Sequence, residues 1–517
     1  MKKNNVHARP AFAPAGLPAC ILFLALLCAE CSHDRPGNGV REVHRQPVLF
    51  PYSRGTVIPP NIAPLNFLIR EKGDRFFVSI SRKEGPGIEL FGTGPSVIIP
   101  IDKWKQLLTA SKGRPIGVTV YCREQREWRR FETIWDTVSV DNIDSHVAYR
   151  KIPVCKDWAL MGIYQRDLGN FNEDVVLHNK KNSACFNCHS FRNNNPADMA
   201  LEVRSKDYGT PMVLGTLLSG TRGLHAVNTK TQFSSGKVGF TSWHPSHDII
   251  AFSMNRFEML FYSAGAEPRA VFDAAADVAI FDIQKNIVTS TPELRRSDRI
   301  ETMPEWSSDG RSLYFCSAPQ LPEKQYRDVR CDLMRIAFDP ATYTWGRLDT
   351  VLTAEKAGGS VLQPRSSPNG RFLLVTIADY SDFPIDKAGA RLCLFDIAAS
   401  SLYRIGPESR GTDAWHGWSH SGRWIVWNSK RMNGKFSSVF FCRCDSTGAV
   451  HAPFVLPQKD PLFYESSLTA YNVPEFLTGR IPYTIRQFQS VLDAYRSKPA
   501  TDVVTAATAP HGGQDEY

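Results

Sequence analysis

The chain has 517 residues, with 61 Lys and Arg against 52 Asp and Glu, a formal net charge of +9. That excess is small for the length and spread along it. The one dense basic stretch, Arg126 to Arg130, is interrupted by Glu127, so nothing reads as a nucleic-acid surface. The length predicts two to four domains, and 35 Gly with 34 Pro, spaced as turns, favour β-structure.

Met1-Lys2-Lys3 opens a basic segment, and Leu17 to Ala29 is an apolar run. It is shorter than the roughly 20 residues that cross a bilayer and has the form of a signal peptide over residues 1–31. Cys28 and Cys31 close the run and a polar stretch follows, which suggests lipoprotein processing with the lipid on Cys31. Glu30 stands where a small residue is expected. Lipid on Cys28, ordinary cleavage and an uncleaved anchor therefore stay open. Ser32 rather than Asp after Cys31 argues against inner-membrane retention, so the expected location is the periplasm or the outer membrane. No later segment reaches 18 apolar residues.

Residues 32–48 read as a polar linker. From 49 to 154 short β runs alternate with turns, among them Leu65 to Arg70, Arg75 to Ile80 and Gly117 to Tyr121, with one helix near Asp102 to Ala110. This spacing predicts a small β-sandwich. Nothing in it carries chemistry, and it reads as a packing or docking domain.

Residues 155–208 contain Cys185-Phe186-Asn187-Cys188-His189, a C-x-x-C-H motif. In an exported chain this spacing reads as attachment of one covalent haem c. Two thiols add across the porphyrin vinyl groups, and the adjacent His189 binds iron as the proximal ligand. A local disulfide or redox pair and half of a zinc site compete with that reading, although no second ligand pair at zinc spacing lies nearby. The motif is expected to open a short helix that breaks at Asn193-Asn194-Asn195-Pro196. For the sixth iron ligand the candidates are Met199, Met212, His225 and His178, beside a five-coordinate iron. Cys122, Cys155, Cys316, Cys331, Cys393, Cys442 and Cys444 are odd in number and irregular in spacing. They form no disulfide framework and read as small core residues.

Residues 209–480 repeat. Thr241 to Phe252, Pro304 to Phe315, Pro364 to Val375 and Trp415 to Val426 each read as a strand, a polar turn and an apolar strand, anchored at Trp243, Trp306, Arg365 and Trp418. Gly310, Gly370 and Gly422 supply the positive-φ position of the turn. Such repeats predict a β-propeller, and about 250 residues at roughly 40–45 per blade allow six blades. Trp243, Trp306, Trp415, Trp418 and Trp427 could pack between blades or form a binding surface. His244, His247, His416 and His420 lie near turns where a channel metal is conceivable. Tyr483 to Arg496 has helical spacing, and 499–517 has the composition of a disordered tail. The fold class is thus all-β, a sandwich followed by a propeller.

The hairpins resemble the TolB-type, WD40-like propeller repeat, W-S-P-D-G followed by an apolar strand. Cys185 to Phe191, Trp243-His244-Pro245-Ser246, Leu313 to Ala318, Ile377 to Tyr380, Leu456 to Pro461 and Tyr471 to Phe476 occur together in order. Over roughly residues 150–480 the chain resembles a family of TolB-like, C-x-x-C-H-bearing lipoproteins of Gram-negative bacteria. The resemblance implies a propeller with one covalent haem at its N-terminal side and no defined reaction. Such sequences tend to carry His where this chain has Glu202 and Tyr262.

The resulting expectation is a lipid-anchored monohaem protein in electron transfer or haem-based sensing at the cell envelope. Its expected partner is an envelope or redox protein, with a glycan as a further candidate. The alternatives are an envelope scaffold whose propeller engages a protein or glycan, and a haem peroxidase or oxidase. No G-x-S-x-G, H-E-x-x-H or phosphate loop is present.

Overall fold

The computed structural model describes residues 35–37, 39–52, 54–153, 160–179, 184–263, 269–380, 382–406, 411–495 and 501–502. The expected signal peptide, Cys31 and the side chain of Cys188 lie outside the described residues. No described helix is long and apolar enough to cross a membrane.

The chain is all-β. Its N-terminal part stacks a seven-stranded sheet against a three-stranded one formed by Leu49–Phe50, Phe67–Ile69 and Ser96–Val97. The helix Ile101–Ala110 turns Trp104, Leu107 and Leu108 into that core, and the Trp104 indole donates to the Ile62 carbonyl at 3.1 Å. The same core continues into the propeller through Trp424, Phe441 and Phe454 on one blade and Val147, Tyr149 and Phe476 on another. The sandwich is therefore fused to the ring by apolar packing, the largest favourable contribution to folding.

Six antiparallel units follow, five of four strands and one, blade 2, with Thr501–Asp502 added in parallel as a fifth. The inner strands are Cys185–Phe191 (blade 1), Thr241–Trp243 (blade 2), Arg299–Trp306 (blade 3), Ser360–Ser366 (blade 4), Asp413–Trp418 (blade 5) and Thr469–Leu477 (blade 6). Each packs against the next, and the sixth packs against the first, which closes the ring. Blade 6 is composite. Its inner strand is C-terminal, whereas its other strands, His146–Pro153, Gly162–Asp167 and Glu173–His178, come from before blade 1. The ring therefore begins near residue 146 rather than 209, and the stretch 155–208 supplies parts of blades 6 and 1.

The C-x-x-C-H motif lies in a strand, not at a helix start. Its flanks Cys185-Phe186 and His189-Ser190-Phe191 pair with Met199–Arg204, and this tertiary pairing overrides the local turn signals. Between Phe186 and His189 the ladder slips, as it does at Thr302/Glu305 in blade 3, Leu362/Arg365 in blade 4, Ala414/His416 in blade 5 and opposite Ala148/Arg150 in blade 6. Four of these bulges hold a non-glycine residue at positive φ: Met303 (53°), Gln363 (55°), Trp415 (52°) and Val473 (46°). Bulges re-aim side chains, and here they recur at one height around the axis.

The hairpin turns repeat one bonding scheme. The hydroxyls of Ser307, Ser367 and Ser419 accept from the backbone N–H of Ser312, Phe372 and Trp424 at 3.0, 2.9 and 3.0 Å. Superposing these turns puts Ser366, not Arg365, in the place of Trp306 and Trp418. Arg365 stands one residue earlier, at the axis. The expected C-terminal helix spans Ile485–Ala494, with Thr484 and Gln487 forming a capping box.

Candidate functional site

The axis of the ring opens at two mouths. The inner strands enter at a cavity that contains His189 and leave at a funnel lined by tryptophans.

The His189 cavity has a volume of about 280 Å³ and is lined by Arg150, Glu202, Arg204, Met259, Trp415 and Val473 among others. The bulge after Phe186 brings His189 to it. The ring is 3% exposed, and neither nitrogen has a hydrogen-bond partner. Burial, then the Arg150 guanidinium, lowers its pKa to about 4, while the nearby Val473 backbone works the other way without forming a hydrogen bond. The ring is therefore neutral, the state in which imidazole binds a metal. A buried polar group left unsatisfied costs about 1–3 kcal/mol, so the site is built around a missing interaction. Cys185 is half-buried, and its Sγ accepts at 3.5 Å from Nη2 of Arg150, which lines the cavity. Glu202 accepts from Arg204 Nε at 2.6 Å and keeps its other oxygen unpartnered. Burial raises its pKa against the pull of Arg204.

A neutral, unpartnered imidazole and an aromatic wall are what a haem bound through His189 would need, while the Cys188 side chain lies outside the described residues. The four expected distal candidates do not line this cavity. Met199 is fully buried in the apolar layer with Leu201, Val203 and Phe488, and Met212 packs with Leu214 and Phe252. His225 bonds within its own hairpin to the Thr221 carbonyl at 3.2 Å, and His178 ends the outermost strand of blade 6. Met259, from the long hairpin of blade 2, does line it.

The funnel, of about 260 Å³, is walled by Trp243, Trp306 and Trp418 and floored by Glu305, Arg365 and Glu475. Glu305, Arg365 and Glu475 are the residues at which the ladder resumes after the bulges of blades 3, 4 and 6, as His189 is in blade 1. Glu305 accepts from the Ser366 N–H at 3.1 Å, from Ser242 Oγ at 2.9 Å and from Arg365 Nη1 at 3.4 Å. Burial raises the Glu475 pKa to about 7, with Glu305 adding and Arg365 opposing. The indole N–H groups of Trp243 and Trp306 are buried without partners, whereas Trp418 donates to the Arg365 carbonyl at 3.1 Å. Trp415 belongs to the other mouth, and Trp427 donates to Asp413 at 3.1 Å inside blade 5.

The turn histidines have structural work. His244 takes the turn serine's place, and His416 donates to the Gln363 carbonyl at 2.7 Å. Among the described residues no three His, Cys, Asp or Glu are grouped to hold a metal ion by themselves. Sequence reasoning missed Arg150 and Glu475, and took Arg365 for a repeat anchor. Alignment of the repeats on their turn glycines places Glu305 and Arg365 together, each directly after the proline that opens its repeat. Arg150 has no such signal.

The protein is thus an all-β chain in which a sandwich is fused to a six-bladed propeller. No protein-family model and no curated protein matches it. Among solved structures it is similar to TolB from Acinetobacter baumannii (12% identity, TM-score 0.40, covering 73% of this chain and 85% of that one). It is also similar to a putative TolB from Agrobacterium tumefaciens (15%, 0.36, covering 61% and 89%) and to Kuenenia stuttgartiensis hydrazine synthase (12%, 0.29, covering 51% and 64%). These are likenesses of fold and assign no activity.

Proposed function

We propose that this chain is a binding protein of the cell envelope whose propeller engages a protein partner at the tryptophan-lined mouth. The observation that carries this reading is the funnel itself, where two buried indole N–H groups without partners surround the Glu305–Arg365–Glu475 floor. Concave sites with apolar walls and a few convergent polar groups are the usual form of a binding site. The basic and apolar N-terminus supports the envelope location. A photo-crosslinker at Ser308, which lines the funnel, should trap one partner in cells, and Glu475→Lys should abolish the adduct. An identical adduct from Tyr403, exposed on the outer strand of blade 4, would refute the reading.

A second reading concerns the opposite mouth and rests on His189, buried with both nitrogens unpartnered, four residues after a Cys185 that contacts Arg150 of the cavity wall. Here Cys185 and Cys188 would carry a haem c by thioether bonds and His189 would bind its iron. Such a group supplies one-electron chemistry or a ligand-sensing iron. The bulged strand fixes the imidazole, burial keeps it neutral, and the aromatic wall limits water. The chain, expressed with its N-terminus alongside haem-attachment machinery, should give one haem per chain by pyridine haemochrome. Cys185→Ser with Cys188→Ser should give none. A folded wild-type chain without haem would refute this reading.

A further inference from the structure

The floor of the tryptophan-walled funnel is unequally charged. Among the described residues that line it, Glu305 and Glu475 bring two carboxyls and Arg365 one guanidinium. Arg365 Nη1 donates to Glu305 at 3.4 Å, and Ser242 Oγ at 2.9 Å and the Ser366 N–H at 3.1 Å complete that carboxylate's shell. The Glu475 carboxyl accepts no hydrogen bond among the described residues, and Arg365 acts on it only through its field. One guanidinium thus serves two carboxyls and is bonded to the other of them. His420, the remaining titratable group of the lining, is exposed, and its Nδ1 is bonded to the Asn193 carbonyl at 3.1 Å. The space beside Glu475 is kept clear by a glycine: a Cβ built on Gly417 would lie 3.4 Å from Glu475 Oε2.

We infer that the funnel receives a lysine or arginine side chain of the protein partner, with its alkyl stem against the tryptophan walls and its cation at Glu475. The inference rests on the partner reading above and names the group by which that partner is held. A recess with one carboxyl in excess and low-dielectric walls draws cations and repels anions. Long basic side chains bury their stems along apolar surface while the charged head meets a polar end. Burial holds the Glu475 carboxyl at about 7, with Glu305 adding and Arg365 opposing. At pH 7 about half of these carboxyls therefore carry a proton, and an entering cation releases it.

The test selects random heptapeptides displayed on phage against the full chain and retains those that a photo-crosslinker at Ser308 captures. These peptides should carry a Lys or Arg whose change to Met weakens binding about tenfold. The same change should leave binding to Glu475→Gln unaltered, a difference that a merely structural role of Glu475 would not produce. Calorimetry at pH 7 in buffers of different ionisation enthalpy should show about half a proton released by wild type and none by Glu475→Gln. Captured peptides with no basic residue, or an equal loss on both proteins, would overturn the cation site and leave the partner reading standing. Capture of no peptide would also overturn the cation site, and absence of the cellular adduct at Ser308 as well would overturn both.

Discussion

His244 of blade 2 donates its Nε2 hydrogen to the Gly310 carbonyl of blade 3 across 3.0 Å, while its Nδ1 accepts from the backbone N–H groups of Ser246 and His247 at 3.2 and 3.0 Å. One imidazole therefore forms the turn of its own hairpin and ties it to the next blade. The accepting Nδ1 fixes the ring as neutral, with the proton on Nε2. A Cβ built on Gly310 would lie 2.3 Å from His244 Cε1, at φ +71°.

Gly310→Ala should therefore cost more than conformational strain alone. Left-handed strain accounts for about 1 kcal/mol, and displacement of the His244 ring should bring the total to about 2–3 kcal/mol. Gly434→Ala, at φ +75° in open space, should cost only the first part. Urea unfolding of the two variants checks the difference, and equal losses would show that the inter-blade contact is slack.

Acid should weaken the ring through its buried histidines. Burial lowers His244 to about 4 and His416 to about 3, against 6.5 for an ordinary ring. Between these values the unfolded chain takes up protons that the folded chain refuses. The contribution is whole above about pH 6.5 and is lost as pH falls toward 4, at about 1.4 kcal/mol per unit for each ring. His416→Gln should flatten the fall in melting temperature between pH 6.5 and 5. An unchanged slope would show that the ring is not held neutral.

Glu475 acts with the opposite sign. Its carboxyl is raised to about 7 from 4.5, so the folded chain holds a proton there that the unfolded chain releases between those values. Stability is fullest below about pH 4.5 and declines as pH rises through 7. Glu475→Gln should stabilise the protein at pH 8 by about 1–3 kcal/mol and have little effect at pH 4.5. Denaturant titrations at the two pH values test this, and destabilisation at pH 8 would mean that the carboxylate is needed charged.

Arg431 Nη2 donates to both carboxylate oxygens of Asp413 at 2.9 Å in blade 5, with side chains 14% and 4% exposed. Arg431→Met should cost about 3–5 kcal/mol because it strands the Asp413 charge. Adding Asp413→Asn should recover part of that loss. A double-mutant cycle with no coupling would contradict the pairing.

The parts of this fold that could be read in the sequence are those whose chemistry is local. Gly310, Gly370 and Gly422 mark their turns because each needs positive φ within a few residues of a serine or its substitute. The helix Ile485–Ala494 was legible from apolar spacing, and the structure adds its Thr484 cap. The composition of blade 6 was not, because its inner strand and its neighbour lie at opposite ends of the ring sequence. The C-x-x-C-H motif singles out His189 by residue type and spacing, but its strand conformation depends on pairing with Met199–Arg204. Arg150 was invisible because its place in the cavity wall depends on neighbours distant in sequence.

The composite sixth blade also governs how the chain comes together during synthesis. Ser145 Oγ donates to the Thr478 carbonyl 333 residues later, at the same seam where His146–Pro153 pairs with Thr469–Leu477. Chains emerge from the ribosome N-terminus first, so His146–Pro153 must wait with a bare strand edge until the last inner strand arrives. Such an edge is a template for mispairing. A chain released before residue 469 would keep five inner strands and an open seam, so closure reports that synthesis has passed the last inner strand.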